Sequence, residues 1–302
     1  MTKTVEYPLK GTFVPHIVGV MDYPSGDSAQ GDISGLITNW FGPASAKTWI
    51  TVDDFSAIEV GFNLVSRKII NGHQVYPFTI VLGNAAPRAQ ATKNLEAAPF
   101  VTFELTNGVR VFTTLSEYNE EVEFLGEDGI RGPINPLKIP KEGTQFRSSL
   151  LPEFAARFYT VAARGDDNLI SQVVDLDIDL RSSVFSTSNK DKPIRVLHVD
   201  NFGNIKLSVS DDDPRVKVAN GERFEIEIGG VRNSVVKGRH LGDVEKLGDI
   251  CFYPGSSTLT NGERFMELCL VGDSAAHAFS NQHGLRRQGN RARSGQVVTF
   301  SF

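Results

Sequence analysis

Sulfur is scarce in this chain: 302 residues include two cysteines, Cys251 and Cys269, and three methionines. Without a CxxC pair, the sequence argues against a disulfide framework and against a structural zinc site. Both thiols are expected to pack as small apolar residues. A basic excess is missing as well. Lys and Arg number 31 against 36 Asp and Glu, a formal charge of −5, so the chain lacks the cationic surplus that neutralises a phosphate backbone, and nucleic acid is not an expected partner. Long apolar runs are also absent. No segment approaches the ~20 apolar residues of a membrane span, and the opening MTKTVEYPLKGTFVPH has no signal-peptide core, so the expectation is a cytoplasmic protein without membrane contact.

What the chain does have is length enough for two cores. In the first half, strand-like runs (HIVGVMDY, KTWITVDD, YPFTIVLG, FVTFEL) alternate with longer mixed segments. Ile58, Phe62, Val65 and Ile69 recur at helical spacing, as do Phe154, Phe158, Val161 and Ala162 between Leu151 and Arg164. Strands alternating with helices predict a layered α/β domain with a mostly parallel sheet over residues 1–180. Asn107-Gly108 signals a turn after FVTFEL. From Gly126 to Ser149, three prolines and four glycines read as a long loop without regular structure. The polar stretch 181–192 is the expected linker. Beyond it, VLHVDNF, NIKLSV, RFEIEIGG, RNSVVKGR, ICFYPG, RFMELCLVG and QVVTFSF are short strands punctuated by glycine, which predicts an all-β, barrel-like domain over 193–302.

Two polar knots carry chemistry. In MDYPSGDSAQGD, just after the first strand, Asp22, Asp27 and Ser28 sit where open α/β sheets bind ligands, and their carboxylates can accept from ribose hydroxyls or pair with an ammonium. Turns recruit the same residue types for backbone reasons. In DNFGN, Phe202 between Asn201 and Asn204 offers a ring to stack on a base and amides that match donor and acceptor edges; a bent hairpin would use the same residues.

Taken together, the chain resembles the S-adenosylmethionine hydroxide adenosyltransferase family, which includes fluorinase and chlorinase enzymes. MDYPSGDSAQGDISGL is similar to the family's SDxGxxDSxxxxxKG motif at Asp22, Asp27 and Gly35, and DNFGN to its DxFGNxxTNI motif at Asp200, Phe202, Gly203 and Asn204, without the later TNI part. Arg88, the Asn107-Gly108 turn and MELCLVGDSAAHAF, which resembles LEIAVNxGSAA, extend the likeness nearly end to end. The resemblance implies that Phe202 and Asn204 face adenine with Ser274 and Ala275 nearby, that Asp22 holds the ribose and Asp27 the methionine amino group, and that Asn107 lines the ligand. It implies homotrimers with sites between subunits, S-adenosylmethionine as substrate, and neither cofactor nor metal.

Catalytic residues match less well. Where the family has a DPGVGTxR-like run this chain has LGNAAPR, which retains Arg88 and leaves Asn84 or Leu82 near the Asp position. FRSSLLPE stands in place of FHGRD, so the His is lost and Arg147, Ser148 or Ser149 takes its neighbourhood, with Ser148 or Ser149 matching the small hydroxyl that halide users present there. The Trp of fluorinase-like members corresponds to Ile58. All six histidines, His277 among them, lie elsewhere and read as surface or packed residues. The expected reaction is displacement of methionine by attack at C5′, with water or halide as nucleophile. The alternatives are a non-catalytic S-adenosylmethionine or adenosine binder, and a different reaction in the same pocket.

Overall fold

The structure is a computed structural model and describes residues 15–23, 26–53, 56–66, 79–85, 99–115, 120–138, 150–162, 167–185, 192–244, 246–259, 261–280 and 292–302. It divides into two compact units, one of residues 1–64 and 68–187, the other of 65–67 and 188–302.

The first unit is built on a six-stranded mixed sheet in the order β2-β1-β3-β5-β4-β6. Its strands are β1 (His16–Met21), β2 (Ala46–Thr51), β3 (Thr79–Asn84), β4 (Phe100–Leu105), β5 (Arg110–Thr114) and β6 (Ile130–Pro136). The first four in that order run parallel, whereas β4 and β6 pair antiparallel, so only one side of the sheet has the parallel character expected of the whole. Helix α1 (Ser28–Phe41) buries Ile33, Ile37 and Phe41, one residue per turn, against a core of Ile17, Met21, Ile80, Leu82 and Phe112. Helix α3 (Leu150–Ala162) places Phe154 in the same core and packs against α1 and α4 (Asp167–Val173).

Helix α2 (Ala57–Ser66) covers the opposite face. Val60 lies against Gly83 of β3, and the backbone oxygens of Glu120 and Glu121 close on Gly61 so tightly that a Cβ there would collide. On the α1 face the Trp49 ring fills the space over Gly19.

Two readings of the sequence need correction. The proline-rich stretch after Gly126 contains a regular strand, β6, tolerated because it is the edge of the sheet and pairs with β4 alone. An outer edge needs no N–H donors, and a register shift between Thr102 and Glu104 accommodates the breakers, with Gly132 at φ +75°. Second, the segment read as a linker begins with helix α5 (Arg181–Phe185). Arg181 donates to the carbonyls of Gly132 and Glu127, which fastens this helix to the first unit.

The second unit is a seven-stranded sheet in the order β13-β9-β10-β11-β12-β8-β7: β7 (Val196–Val199), β8 (Ile205–Ser210), β9 (Arg223–Ile228), β10 (Val231–Lys237), β11 (Ile250–Thr258), β12 (Arg264–Leu270) and β13 (Val298–Ser301). Each of the seven apolar runs of the C-terminal half is one of these strands. Alternation in β8 and β9 sends Leu207, Val209, Phe224 and Ile226 inward and their neighbours outward. The sheet curls as a half-barrel, and an isolated bridge beside its end strands links Arg195 with Val297, with Val196 N donating to Gln296 O at 2.8 Å and Val298 N to Ile194 O at 2.8 Å. A short helix, α6 (Ala275–Ala278), lies against β12.

Candidate functional site

In the first unit, the candidate residues gather at the carboxyl edge of the parallel strands. Asp22 follows β1 directly, and its N–H donates to the Asn84 carbonyl at 3.2 Å. Asn84 ends β3, is buried, and its Nδ2 donates to the Tyr23 hydroxyl at 3.1 Å. An amide held this way has no basic lone pair to offer, so Asn84 serves to tie β1 to β3 and cannot activate water as a carboxylate would. Asp27 caps α1: its Oδ1 accepts from Ala29 N at 2.7 Å, a common use of Asp before a helix. Ser28 is the first, exposed residue of that helix.

Asn107 is not part of this group. Strand β5 runs parallel to β3 with Arg110 beside Ile80, so the β4–β5 turn lies at the amino edge of the sheet. Asn84 is four residues further along β3, about 13 Å away at strand rise. There Asn107 Oδ1 accepts from Val109 N at 3.2 Å and Gly108 adopts φ +86°, so the Asn-Gly pair is spent on the hairpin. Arg88, Ser148 and Ser149 lie outside the described residues.

In the second unit the DNFGN knot answers to a single side chain. Asp200 Oδ1 accepts from the N–H groups of Phe202 (2.9 Å) and Asn204 (3.0 Å), while its Oδ2 accepts from Asn204 Nδ2 at 3.0 Å. Asp200 thereby orients the Asn204 amide and leaves Asn204 Oδ1 without a hydrogen bond among the described residues. The turn also throws Phe202 outward, 82% exposed. Gly203, at φ +81°, donates to Asp200 O, accepts from Ala276 N at 2.9 Å, and abuts Ser274 so closely that a Cβ would clash with its Oγ.

These contacts enclose an open cavity of about 450 Å³ lined by Phe202, Asn204, Cys269, Leu270, Gly272, Asp273, Ser274 and His277. Three residues singled out from the sequence, Phe202, Asn204 and Ser274, thus meet in one place. Ser274 caps α6, accepting from His277 N at 3.3 Å. Ala275 does not line the cavity: as the first residue of α6 it is fully buried in the core.

The sequence does not single out His277, Asp273 or Cys269 as cavity residues. DSAAH holds the signal for the first two, a capping serine followed at helical spacing by a histidine, but a histidine outside the expected catalytic segment reads as surface. Cys269 is buried as expected and also forms cavity wall. Burial, with Glu267 and Asp200 adding to it, pushes its thiol above the ordinary range, so it faces the cavity as a neutral, apolar group. Among the described residues, no three His, Cys, Asp or Glu side chains converge as a metal site requires, and no helix is long and apolar enough to cross a membrane.

No family model and no curated protein matches the chain. Solved structures do. An uncharacterized conserved protein from Thermotoga maritima superposes with a TM-score of 0.58 at 16% identity, over 95% of this chain and 100% of that one. A conserved hypothetical protein from Thermus thermophilus gives 0.54 at 16% identity with the same coverage. At that identity the likeness establishes a shared two-domain fold, α/β followed by β, over nearly the whole chain.

Proposed function

We propose that this chain binds S-adenosylmethionine and displaces its methionine by attack of water or halide at C5′. The observation that carries the reading is the exposed Phe202 ring beside the oriented Asn204 amide, both on one cavity wall. A planar base stacks on such a ring, and the unengaged Asn204 Oδ1 accepts from an exocyclic amine such as that of adenine. On this reading Asp22 holds the ribose hydroxyls and Asp27 the methionine ammonium.

Chemistry at C5′ asks little of acids and bases. As the nucleophile–C5′ bond forms, the C5′–S bond breaks and its electron pair passes to sulfur, so methionine leaves as a neutral thioether; a water nucleophile also releases one proton to solvent, a halide none. Positioning and removal of water from the nucleophile supply the catalysis. Arg88 is the stabilising cation of this proposal and Ser148 or Ser149 the hydroxyl beside an incoming halide. The same reading carries a homotrimer with sites shared by neighbouring subunits, which light scattering at the monomer mass would contradict.

Binding without turnover is the second reading, favoured by Asn84, a hydrogen-bonded amide at the position where water activation would want a carboxylate. Incubating the purified chain with S-adenosylmethionine, alone and with chloride or fluoride, separates the two. Adenosine or a 5′-halogenated adenosine appearing with methionine supports the enzyme; bound, unconsumed S-adenosylmethionine supports the binder; no binding overturns both.

A further inference from the structure

Behind the cavity wall, on the face of the curled sheet turned away from its core, three polar side chains form a row across three strands. Glu267 on β12 has two register partners, Tyr253 on β11 and Lys206 on β8. Lys206 Nζ lies 2.5 Å from Glu267 Oε2, and the Tyr253 hydroxyl donates to Glu267 Oε1 at 3.1 Å. The ion pair is almost wholly buried, its side chains 11% and 6% exposed, and Gly255 leaves no room for a Cβ beside the carboxylate.

Two residues further along each strand, on the same face, the next row is Cys251 opposite Cys269, with Asn204 in line just ahead of β8. Cys269 and Asn204 are cavity wall. One pleat repeat, about 7 Å, therefore separates the buried triad from the proposed base-binding residues.

The pairing of β12 with β8 is irregular at this point. Phe265 pairs with Ser210, yet Glu267 pairs with Lys206, so the register shifts by two between them. Had the Phe265–Ser210 register continued, Glu267 would face Ser208 and Lys206 would face Cys269. That unshifted ladder would carry Asn204 past Cys269 by about 7 Å, two residues along the strand. Apolar neighbours do not discriminate between the two registers, because a shift of two keeps every side chain on its face. The shifted register sets the buried Lys206 ammonium and Glu267 carboxylate directly opposite each other, whereas the unshifted one would leave them two residues apart on the diagonal.

We infer that Lys206, Glu267 and Tyr253 are positioning residues that select the shifted register and thereby hold Asn204 in the wall of the cavity. Buried ion pairs contribute little net stability against an apolar replacement, and setting a register is their best-attested use. The inference rests on the proposed adenosine site for its functional consequence.

The test is the variant Lys206→Met/Tyr253→Phe/Glu267→Met, which strands no buried charge or hydroxyl. Its melting temperature should equal or exceed that of wild type, while adenosine affinity falls roughly tenfold, the scale of one lost hydrogen bond. The Asn204 side-chain amide resonance should also move from its wild-type position. Lys206→Arg, which keeps the pair, should change neither affinity nor resonance. Unaltered affinity and resonance in the triple variant overturn the inference, as does a displaced Asn204 resonance in Lys206→Arg. If wild type fails to bind adenosine, the functional reading falls and the amide resonance alone decides the positioning role.

Discussion

Gly203 and Ser274 touch so closely that the cavity wall exists only because residue 203 has no side chain. The turn of DNFGN and the cap of α6 come from segments some seventy positions apart, and this contact joins them, reinforced by the Ala276 N to Gly203 O bond. Gly203→Ala should therefore do two kinds of damage. A left-handed φ of +81° costs an L-residue about 1–2 kcal/mol, and the new methyl must push Ser274 away. Lower stability in urea together with lost adenosine binding is the expected outcome; a variant that melts normally and binds normally would contradict the geometry.

Asp200 accepts three hydrogen bonds within its own turn, and its carboxylate is therefore assigned to folding the knot and not to a ligand. Asp200→Ala should lose about 2 kcal/mol of stability, since charge-assisted bonds inside a protein are worth more than neutral ones. Asp200→Asn retains an acceptor and should lose less. Chemical denaturation of the two variants beside wild type checks the order.

In helix α2, Gly61 reverses the usual rule that alanine suits a helix better than glycine by about 1 kcal/mol. The carbonyl oxygens of Glu120 and Glu121 occupy the space a methyl would need. Gly61→Ala should destabilise by roughly 1–3 kcal/mol, as overpacked cores do. A rise in melting temperature would show that α2 can move away from the 120–121 backbone at no cost.

How much of this was legible beforehand depends on the range of the interactions involved. The C-terminal strands could be read because alternation within each run, as in IKLSV, is local. Helix α3 could be read because Phe154 and Phe158 keep helical spacing. Strand β6 could not, since its prolines are tolerated only by an edge, and edge position is a property of the whole sheet. Asn107 is placed at the ligand by the family resemblance alone, and an Asn-Gly step reads as a turn in any context; that this turn lies at the amino edge of the sheet follows from the pairing of β5 with β3, which is not a local property. Cys269 and His277 became visible as cavity residues only through the register of β12 with β8 and the docking of α6, neither of which leaves a pattern in sequence.

Stability should fall at alkaline pH, with the sign set by raised thiol and phenol pKa values, those of Cys251 and Tyr159 among them. Burial, helped by Cys269 and Asp243, pushes the Cys251 thiol from 9.0 up to about 11 against the pull of Lys237. Burial, with Glu104 adding and Arg110 opposing, raises the Tyr159 hydroxyl from 10.0 to about 12. A folded pKa above the unfolded one means that the unfolded chain releases its proton first, so the contribution is whole below the unfolded value and lost as pH rises through the folded one. Melting temperature should thus decline from pH 9 to 11 through Cys251 and from 10 to 12 through Tyr159. Cys251→Ala should flatten the first part of the decline and Tyr159→Phe the second; slopes identical to wild type would refute the assignment.

The last prediction isolates Phe202, whose ring is 82% exposed and contributes almost nothing to the core. An exposed phenylalanine on a turn held by Asp200 has no folding reason to be aromatic, whereas a base stacking on it gives one. Stacking of a base on an aromatic side chain is worth about 1–3 kcal/mol, so Phe202→Ala should weaken adenosine binding by roughly ten- to hundred-fold. Its melting temperature should stay near that of wild type, because exposed substitutions away from special backbone positions move stability by about 0.5 kcal/mol or less. Phe202→Trp offers a larger face and should keep or raise affinity, while Phe202→Leu, apolar but without a π-face, should fall with alanine. Calorimetry on the three variants distinguishes stacking from mere hydrophobic contact: leucine behaving like wild type would remove the aromatic argument, and alanine binding as tightly as wild type would remove Phe202 from the site.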